Sequence, residues 1–487
     1  MVSFNQIPGG IRTPLVAVEI DATRAQAQTA ARPFRVLVLG QKTDAAGGAT
    51  LVPTRFTRVE EVAAAFGAGS MLHGMARATF AQSVAIEANF LAIADPTGGA
   101  KASATVQFAA LSPLAGQVVV YVGGRRYSIA TSSASTAETL ALALTSEINA
   151  DPSAYVTAAA ATDTVTLTAK NAGAAAGLLD LRQNYQVGEQ TPSGITVTLT
   201  PFSGGSGDVD MAAIVAALPD EKWDAIAVPY TDAASLAALE GELADRFGPM
   251  RDIAGVAFTA SSAAYGAVAS LGNGRNSPHV SILTSFASPS PEWEWAAAAA
   301  MTVAVSTFAD PARPLQTLVL KGILPPEEVD RFTQPERNLL LFDGVSTTRA
   351  NPAGEVALER AITTYKQTSS GAADTAYLDV ETLFVLDRLR YDVRETFARK
   401  FPRFKLADDG TRAGPGSNIV TPSSARAELL SIARGWEAAG LVEDVDAFKD
   451  QIQVERSSTE VDRLNLFIPP DIVNGLRVVA AQLGFTL

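Results

Sequence analysis

The chain contains no cysteine among its 487 residues. That excludes a disulfide frame, a thiol nucleophile and a thiolate metal site. Histidine is nearly as scarce, and His73 and His279 are the whole supply of imidazole. His73 falls at the start of a predicted helix and His279 follows Pro278 at the start of a predicted strand, so two separate structural roles are expected rather than one acid–base site. Positive charge is short: 38 Lys and Arg face 51 Asp and Glu, for a net charge of -13. That argues against a general nucleic-acid coat, because phosphate binding needs clustered cations. No apolar run reaches the roughly 20 residues a membrane helix requires. The longest, Trp295 to Phe308, is alanine-rich and interrupted by Thr302, Ser306 and Thr307. It reads as a buried helix capped by Ser290 and Pro291, with Glu292 in its first turn. The start of the chain lacks the charged-then-apolar pattern of a secretory signal. Neither a nucleic-acid partner nor direct membrane insertion is expected.

Enzymatic motifs are missing as well. RVLVLGQKTDAAGG, from Arg35, begins like a strand leading into a phosphate loop. With Lys42 and Thr43 in place, the loop glycines belong at 36 and 41, where the chain has Val36 and Gln41. Gly40 stands alone after the strand, so the dinucleotide pattern fails too, and Gly272-Asn273-Gly274 follows a helix and reads as a turn. There is no Gly-x-Ser-x-Gly elbow. Glu60-Glu61, Glu327-Glu328 and Asp408-Asp409 are adjacent pairs, which do not face one another on a helix and read as solvated surface. No cofactor, no metal and no catalytic residue is expected.

What is present is a chain with 47% hydrophobic and 18% charged residues, an ordinary folded composition, and too long for one core. Both ends have the character of arms. Near the start, Pro8, Gly9, Gly10 and Pro14 deny a helix, and Leu15, Val16, Val18 and Ile20 suit an extended strand. Residues 21–32 then form a polar linker that spans roughly 40 Å when extended. Near the end, Leu464, Leu466 and Ile468 alternate with Arg463, Asn465 and Phe467 at strand period. Pro469 and Pro470 stop that strand, and Val478, Val479, Leu483, Phe485 and Leu487 leave an apolar tail. An apolar extended end needs a partner, either its own core or the sheet edge of another subunit. A hairpin of Phe448 to Glu455 and Glu460 to Ile468, turning at 456–459, offers such an edge through Ile452, Val454, Leu464 and Leu466.

Between the ends, residues 33–94 and 208–310 alternate strands and helices, which predicts an α/β layer with a mostly parallel sheet. Expected strands include Phe34 to Leu39, Ala88 to Ala94, Ala225 to Val228, Ile253 to Phe258 and Val280 to Leu283. Residues 95–207 break the rhythm between two glycine-rich borders. They carry six strand patterns, one helix over about Thr136 to Asn149 and a hairpin turn at Gly123-Gly124, and so predict a small inserted β-rich module separable from the rest. A proline-rich connection over 311–352 leads to a helix at Glu355 to Lys366, a long amphipathic helix at Tyr377 to Phe401 and a helix from about Ser424 to Ala439. The fold class expected is α/β and multidomain: an α/β sandwich domain with an inserted β-rich domain, an α+β C-terminal domain and extended N- and C-terminal arms. The boundaries fall at 1–32, 33–94 plus 208–350, 95–207, 351–475 and 476–487.

The combination of IRTPLVAVEI, RVLVLGQK and RLNLFIPPDIVNGLRVVAAQLGF, with AYLDVETLFVLDRLRYDVRETFARKFPRFKL before the last of these, resembles the tail sheath proteins of contractile, Mu-like bacteriophages. The resemblance covers both ends and the last third, covers 33–94 and 205–350 more loosely, and hardly touches 95–204. It implies a structural, non-enzymatic virion subunit, assembled in the host cytoplasm into six-membered rings stacked helically. The partners implied are the inner tail tube protein and the baseplate and tail terminator proteins. It also implies that the arms cross between subunits, that 95–207 lies outermost, and that a C-terminal helix contacts the tube. Two helices qualify in this acidic protein: the shorter one with Arg426 and Arg434, and the longer one with Arg394 and Arg399. Solvated faces with ion pairs of under about 1 kcal/mol are the competing account of these charges. A phage-tail-like bacteriocin or other contractile injection system is the alternative within the same machine, and a nucleotide-binding α/β enzyme the alternative of another class.

Overall fold

The computed structural model describes residues 34–412, 414 and 416–486. Leu15, Val16, Val18 and Ile20, the expected N-terminal arm, lie outside the described residues.

The first strand, β1 (Arg35–Gln41), is buried along Val36 to Leu39, as a strand covered on both faces must be. It is followed by β2 (Thr54–Phe56), α1 (Val59–Phe66), α2 (Met71–Gln82) and β3 (Glu87–Ile93). Ser70 caps α2, its hydroxyl accepting from the His73 amide at 3.1 Å. The chain then leaves this layer for β4 (Lys101–Ala110), β5 (Gly116–Val122), β6 (Arg125–Thr131), α3 (Ala137–Ala150), β7 (Val156–Ala161), β8 (Thr164–Ala172), β9 (Leu181–Gln183) and β10 (Ile195–Ser203). These strands form two antiparallel sheets, ordered β10-β4-β8-β7 and β6-β5-β9, and α3 packs against strands of both. The β5–β6 hairpin turns at Gly123 and Gly124, both at positive φ of 55° and 76°, which a two-residue turn of this hand requires.

The chain returns as α4 (Met211–Ala216), β11 (Ala225–Ala227), α5 (Ala233–Phe247), β12 (Val256–Ser261), α6 (Tyr265–Asn273), β13 (Val280–Thr284), α7 (Glu292–Ala309), α8 (Gln334–Phe342), β14 (Val345–Ala350) and β15 (Val356–Arg360). The main sheet has eight strands in the order β15-β14-β13-β12-β11-β1-β3-β2. Its interior pairs are parallel and its two edge pairs, β14–β15 and β2–β3, antiparallel. Helix α7 packs on β1, β11 and β12 and against α2. Its residues Ala296 to Met301 are fully buried.

Two expectations for this region are corrected. The helix predicted at Glu355 to Lys366 is instead the strand β15. Val356, Ala357 and Leu358 are buried there, and the strand is bonded on both sides. One partner is β14, and the other is the preceding connection, where Leu320 N–H donates to the Val356 carbonyl at 2.8 Å and Leu358 N–H to the Leu318 carbonyl at 2.9 Å. Helix propensity is weak beside such pairing. Ser290 does not cap α7; Pro291 holds the cap position, and the Ser290 hydroxyl accepts from the Leu324 amide at 2.9 Å.

The remaining elements are α9 (Val380–Lys400), β16 (Lys405–Leu406), β17 (Ile419–Val420), α10 (Pro422–Ala438), β18 (Val442–Glu443), α11 (Val445–Gln451), β19 (Gln453–Arg456), β20 (Leu464–Phe467) and β21 (Asp471–Ile472). Thr421 caps α10 with Pro422 at its first position and Gly440 follows it at φ 69°. Helix α9 joins two cores. Val380, Leu383 and Phe384 belong to the large core, and Val385 and Leu389 to a second one with Leu429, Trp436, Val445 and Phe448.

The residues between β3 and α4 are tied to the body by buried polar contacts. Tyr155 donates to Glu294 of α7 and accepts from Arg77 of α2 at 3.0 Å, and Arg77 pairs with Glu294. Gly74 of α2 faces this hydroxyl, which occupies the space a Cβ would need. Tyr155→Phe leaves the buried Glu294 short of one donor. The expected cost is about 1–3 kcal/mol, read as a lower urea midpoint at unchanged slope; an unchanged midpoint would show that this contact contributes nothing to stability.

Candidate functional site

In an open parallel sheet, ligands bind at the carboxyl ends of the strands where strand order reverses. Here that point lies between β1 and β11, and the protein fills it with its own groups. Gln41 at the end of β1 donates to Asp95 at 2.6 Å and to the Ala172 carbonyl at 2.7 Å. Asn171 donates to Asp95 at 2.9 Å and to the Lys42 carbonyl at 2.8 Å, and its side-chain oxygen accepts from the Met71 amide at 2.9 Å. The helix N-terminus where a phosphate would sit is therefore occupied by Asn171 and Ser70. Nothing in the motifs signalled this role for Asn171, a residue in the middle of the inserted segment.

The histidines are apart and inside. His73 accepts from the Gly69 amide at 3.0 Å, and His279 packs on the Phe247 ring. Burial pulls both down to about 4, with Arg77 and Lys170 adding to the effect at His73 and Arg390 at His279. Among the described residues no cluster of His, Cys, Asp and Glu could hold a metal ion, and no helix is long and apolar enough to cross a membrane.

The surfaces proposed from sequence can be placed. The C-terminal segment pairs with the body through β21 on β18 and is then clamped at Arg477. Arg477 donates to Asp379 at 3.2 Å and to Gln316 at 3.3 Å, and pairs with Glu381; Arg360 also donates to Asp379, at 2.8 Å. Burial pushes Glu381 up to about 7 against the pull of Arg477. Beyond the clamp, Val478, Val479, Leu483 and Phe485 are 78–93% exposed and form no strand within the described residues.

The hairpin exists but is shorter than expected. Phe448 to Gln451 are helical in α11, because Asp444 caps that helix through the Ala447 amide at 3.1 Å. The strands are β19 and β20, in register from Gln453↔Phe467 to Arg456↔Leu464. Val454 and Leu466 pack on the second core and Leu464 is half-buried, whereas Ile452 precedes the strand and is buried in that core. No third strand joins this pair among the described residues.

The two basic helices differ. On α9, Arg390 and Arg394 both pair with Asp252, Arg388 with Asp392 at 2.9 Å, and Lys400 with Glu428 of α10 at 2.6 Å. Arg399 is exposed in the last turn. On α10, Arg426 reaches the Lys449 carbonyl, and Arg434 is exposed; neither forms an ion pair among the described residues.

Residues 204–364 match the family model of the phage tail sheath protein central domain, and residues 372–486 that of the phage tail sheath C-terminal domain. The Mu-like prophage FluMu tail sheath protein of Haemophilus influenzae is 38% identical over 486 residues, covering 100% of each chain. Among solved structures, the sheath tail protein of Desulfitobacterium hafniense superposes with a TM-score of 0.50 at 14% identity, over 94% of this chain and 97% of its own. The helical sheath of the anti-feeding prophage in its contracted state gives 0.50 at 12% identity, over 98% and 99%.

The buried histidines set a pH dependence. Each binds a proton near 6.5 when unfolded and only near 4 when folded, so their contribution to stability is present above the unfolded value and is lost as pH falls toward the folded one. Glu381 works in the opposite sense: its contribution is present in acid and is lost as pH rises through about 7. Urea midpoints measured across this range should fall less steeply toward acid in His73→Gln/His279→Gln than in the parent; parallel curves would refute the assignment.

Proposed function

The chain belongs to the phage tail sheath protein family, and from that membership we propose that it polymerises as stacked six-membered rings around an inner tail tube and contracts to drive the tube through the host envelope. The protein is the tail sheath of a contractile phage. Its proposed partners are other copies of itself, the tube protein, and the baseplate and terminator proteins, with assembly in the host cytoplasm. Its work is structural and non-enzymatic. We divide the chain as the sequence suggests: arms at 1–32 and 476–487, an α/β domain over 33–94 and 208–350, an outer domain over 95–207, and a sheath domain over 351–475.

One observation supports intermolecular arms above all. The C-terminal tail is anchored at Arg477 and presents an apolar face to solvent immediately afterwards. A strand added to an open edge such as β19–β20 gains main-chain hydrogen bonds regardless of side chains. Half a dozen at about 0.5–1.5 kcal/mol each give several kcal/mol per arm, and two arms per subunit reinforce one another through effective concentration. Electron microscopy of the purified protein should show striated hollow sheaths or rings, and a discrete monomer under all conditions would contradict the proposal. Deleting Val478 to Leu487, beyond the clamp, should leave a folded, soluble monomer that does not polymerise; normal sheaths from the truncated chain would rule out the arm.

Tube contact is assigned to α10, because Arg388, Arg390, Arg394 and Lys400 of α9 are already engaged by carboxylates of the same subunit. Arg426→Glu/Arg434→Glu should abolish co-sedimentation with the tube while moving the thermal midpoint little, since both side chains are exposed. Retained co-sedimentation would transfer the contact to α9.

A further inference from the structure

A second opening at the carboxyl ends of the parallel strands is not filled. It lies beyond β13 and β14, under the connection that precedes α8, with a cavity volume of about 240 Å³. Thr284 and Ser285, at the end of β13, line its floor. Each residue is almost wholly buried, at 6% and 2% exposure, and neither hydroxyl makes a hydrogen bond among the described residues. Both oxygens are closed off from the opening, so they present no donor to a ligand there. Three arginines line the same opening: Arg331, Arg337 and Arg349. Arg337 is held by Glu359 at 2.7 Å. The Arg331 side chain donates to the Pro326 carbonyl at 3.1 Å, and among the described residues neither it nor the exposed Arg349 forms an ion pair. Asp330 is the one carboxylate on the lining. In a chain of net charge -13, that surplus of guanidinium is a local reversal of sign. One wall is aromatic, with Phe286 and Phe332 stacked at 5.1 Å and 9°.

We propose that this opening is a binding site for a phosphate-class oxyanion. The guanidinium forks of Arg331 and Arg349 match its oxygens, and the phenyl wall accommodates an apolar body if the anion is an ester. The bound group ties the 325–337 segment to the ends of β13 and β14, so it stiffens one corner of the α/β domain. The site stands independently of sheath assembly.

The test is calorimetric titration of the purified full-length protein with inorganic phosphate and, separately, with phenyl phosphate, at constant ionic strength set by chloride. Saturable binding of one or both is expected. Equal affinities would identify the free anion, and a tighter ester would identify an organic phosphate held against the aromatic wall. Arg331→Glu/Arg349→Glu should weaken binding by more than about tenfold. Hydrogen exchange over 325–337 should slow on addition of ligand in the parent only. Both arginines are exposed, so the variant should keep the fold. No saturable binding by the parent up to about 10 mM, or undiminished binding by the arginine variant, overturns the proposal. Normal sheaths from a variant that has lost phosphate would leave the sheath function intact and the site as an addition to it.

Discussion

Ala296, Ala297, Ala298, Ala299 and Ala300 form the fully buried run on which the body of this protein is assembled. Small side chains let α7 lie close to β1, β11 and β12 while α2 closes over another side of it. The same helix carries the groups that tie in more distant parts. Glu294 receives Tyr155 from the inserted segment and Arg77 from α2, Trp293 meets the Tyr155 ring edge-on at 5.3 Å, and Trp295 donates to Ser288 at 3.0 Å. A larger residue anywhere in the run would have to displace backbone, and interiors packed at crystal density have little room to give.

Helix α9 does for the C-terminal part what α7 does for the body. It contributes side chains to both cores, and a seam of ions fixes its angle: Lys222 reaches Asp387 at 2.6 Å, and Arg390 donates to the Phe247 carbonyl at 2.7 Å while pairing with Asp252. Shearing the two parts apart would expose apolar surface and strip partners from buried charge together, and the second of these is the steeper penalty. The proposed contraction therefore calls for motion between subunits rather than within one. The arm root obeys the same logic, since Arg477 secures the tail to the residues that start α9.

Much of this was legible in the sequence because the parallel strands are short apolar runs between turn signals, and the inserted strands alternate. Ala233–Phe247 begins at its Asp232 cap, and both it and Val59–Phe66 end at a glycine. β15 was not legible, because its five residues resemble the start of a helix and only pairing on both sides makes them a strand. Ile452 was assigned to a strand, since its apolar character is the same whether it lies on a hairpin or in the core beneath one. Asn171 was invisible altogether: its work depends on reaching Asp95, Lys42 and Met71 across 76 to 129 residues of chain, and no local pattern encodes that distance.

The charge distribution points the same way as the fold. A chain with 51 acids and 38 bases offers its cations many partners, and on α9 Arg388, Arg390, Arg394 and Lys400 take them. Among the described residues Arg426 and Arg434 on α10 and Arg331 and Arg349 by the open strand ends form no ion pair; Arg58, Arg313, Arg403 and Arg412 form none either, so the first four are set apart by sharing a helix or an opening. Exposed charge contacts are individually weak and screened within about 10 Å at ordinary salt. Weakness of that kind suits a lattice that must hold and then let go: many identical contacts add up along a polymer, while no single one resists when neighbouring subunits rotate.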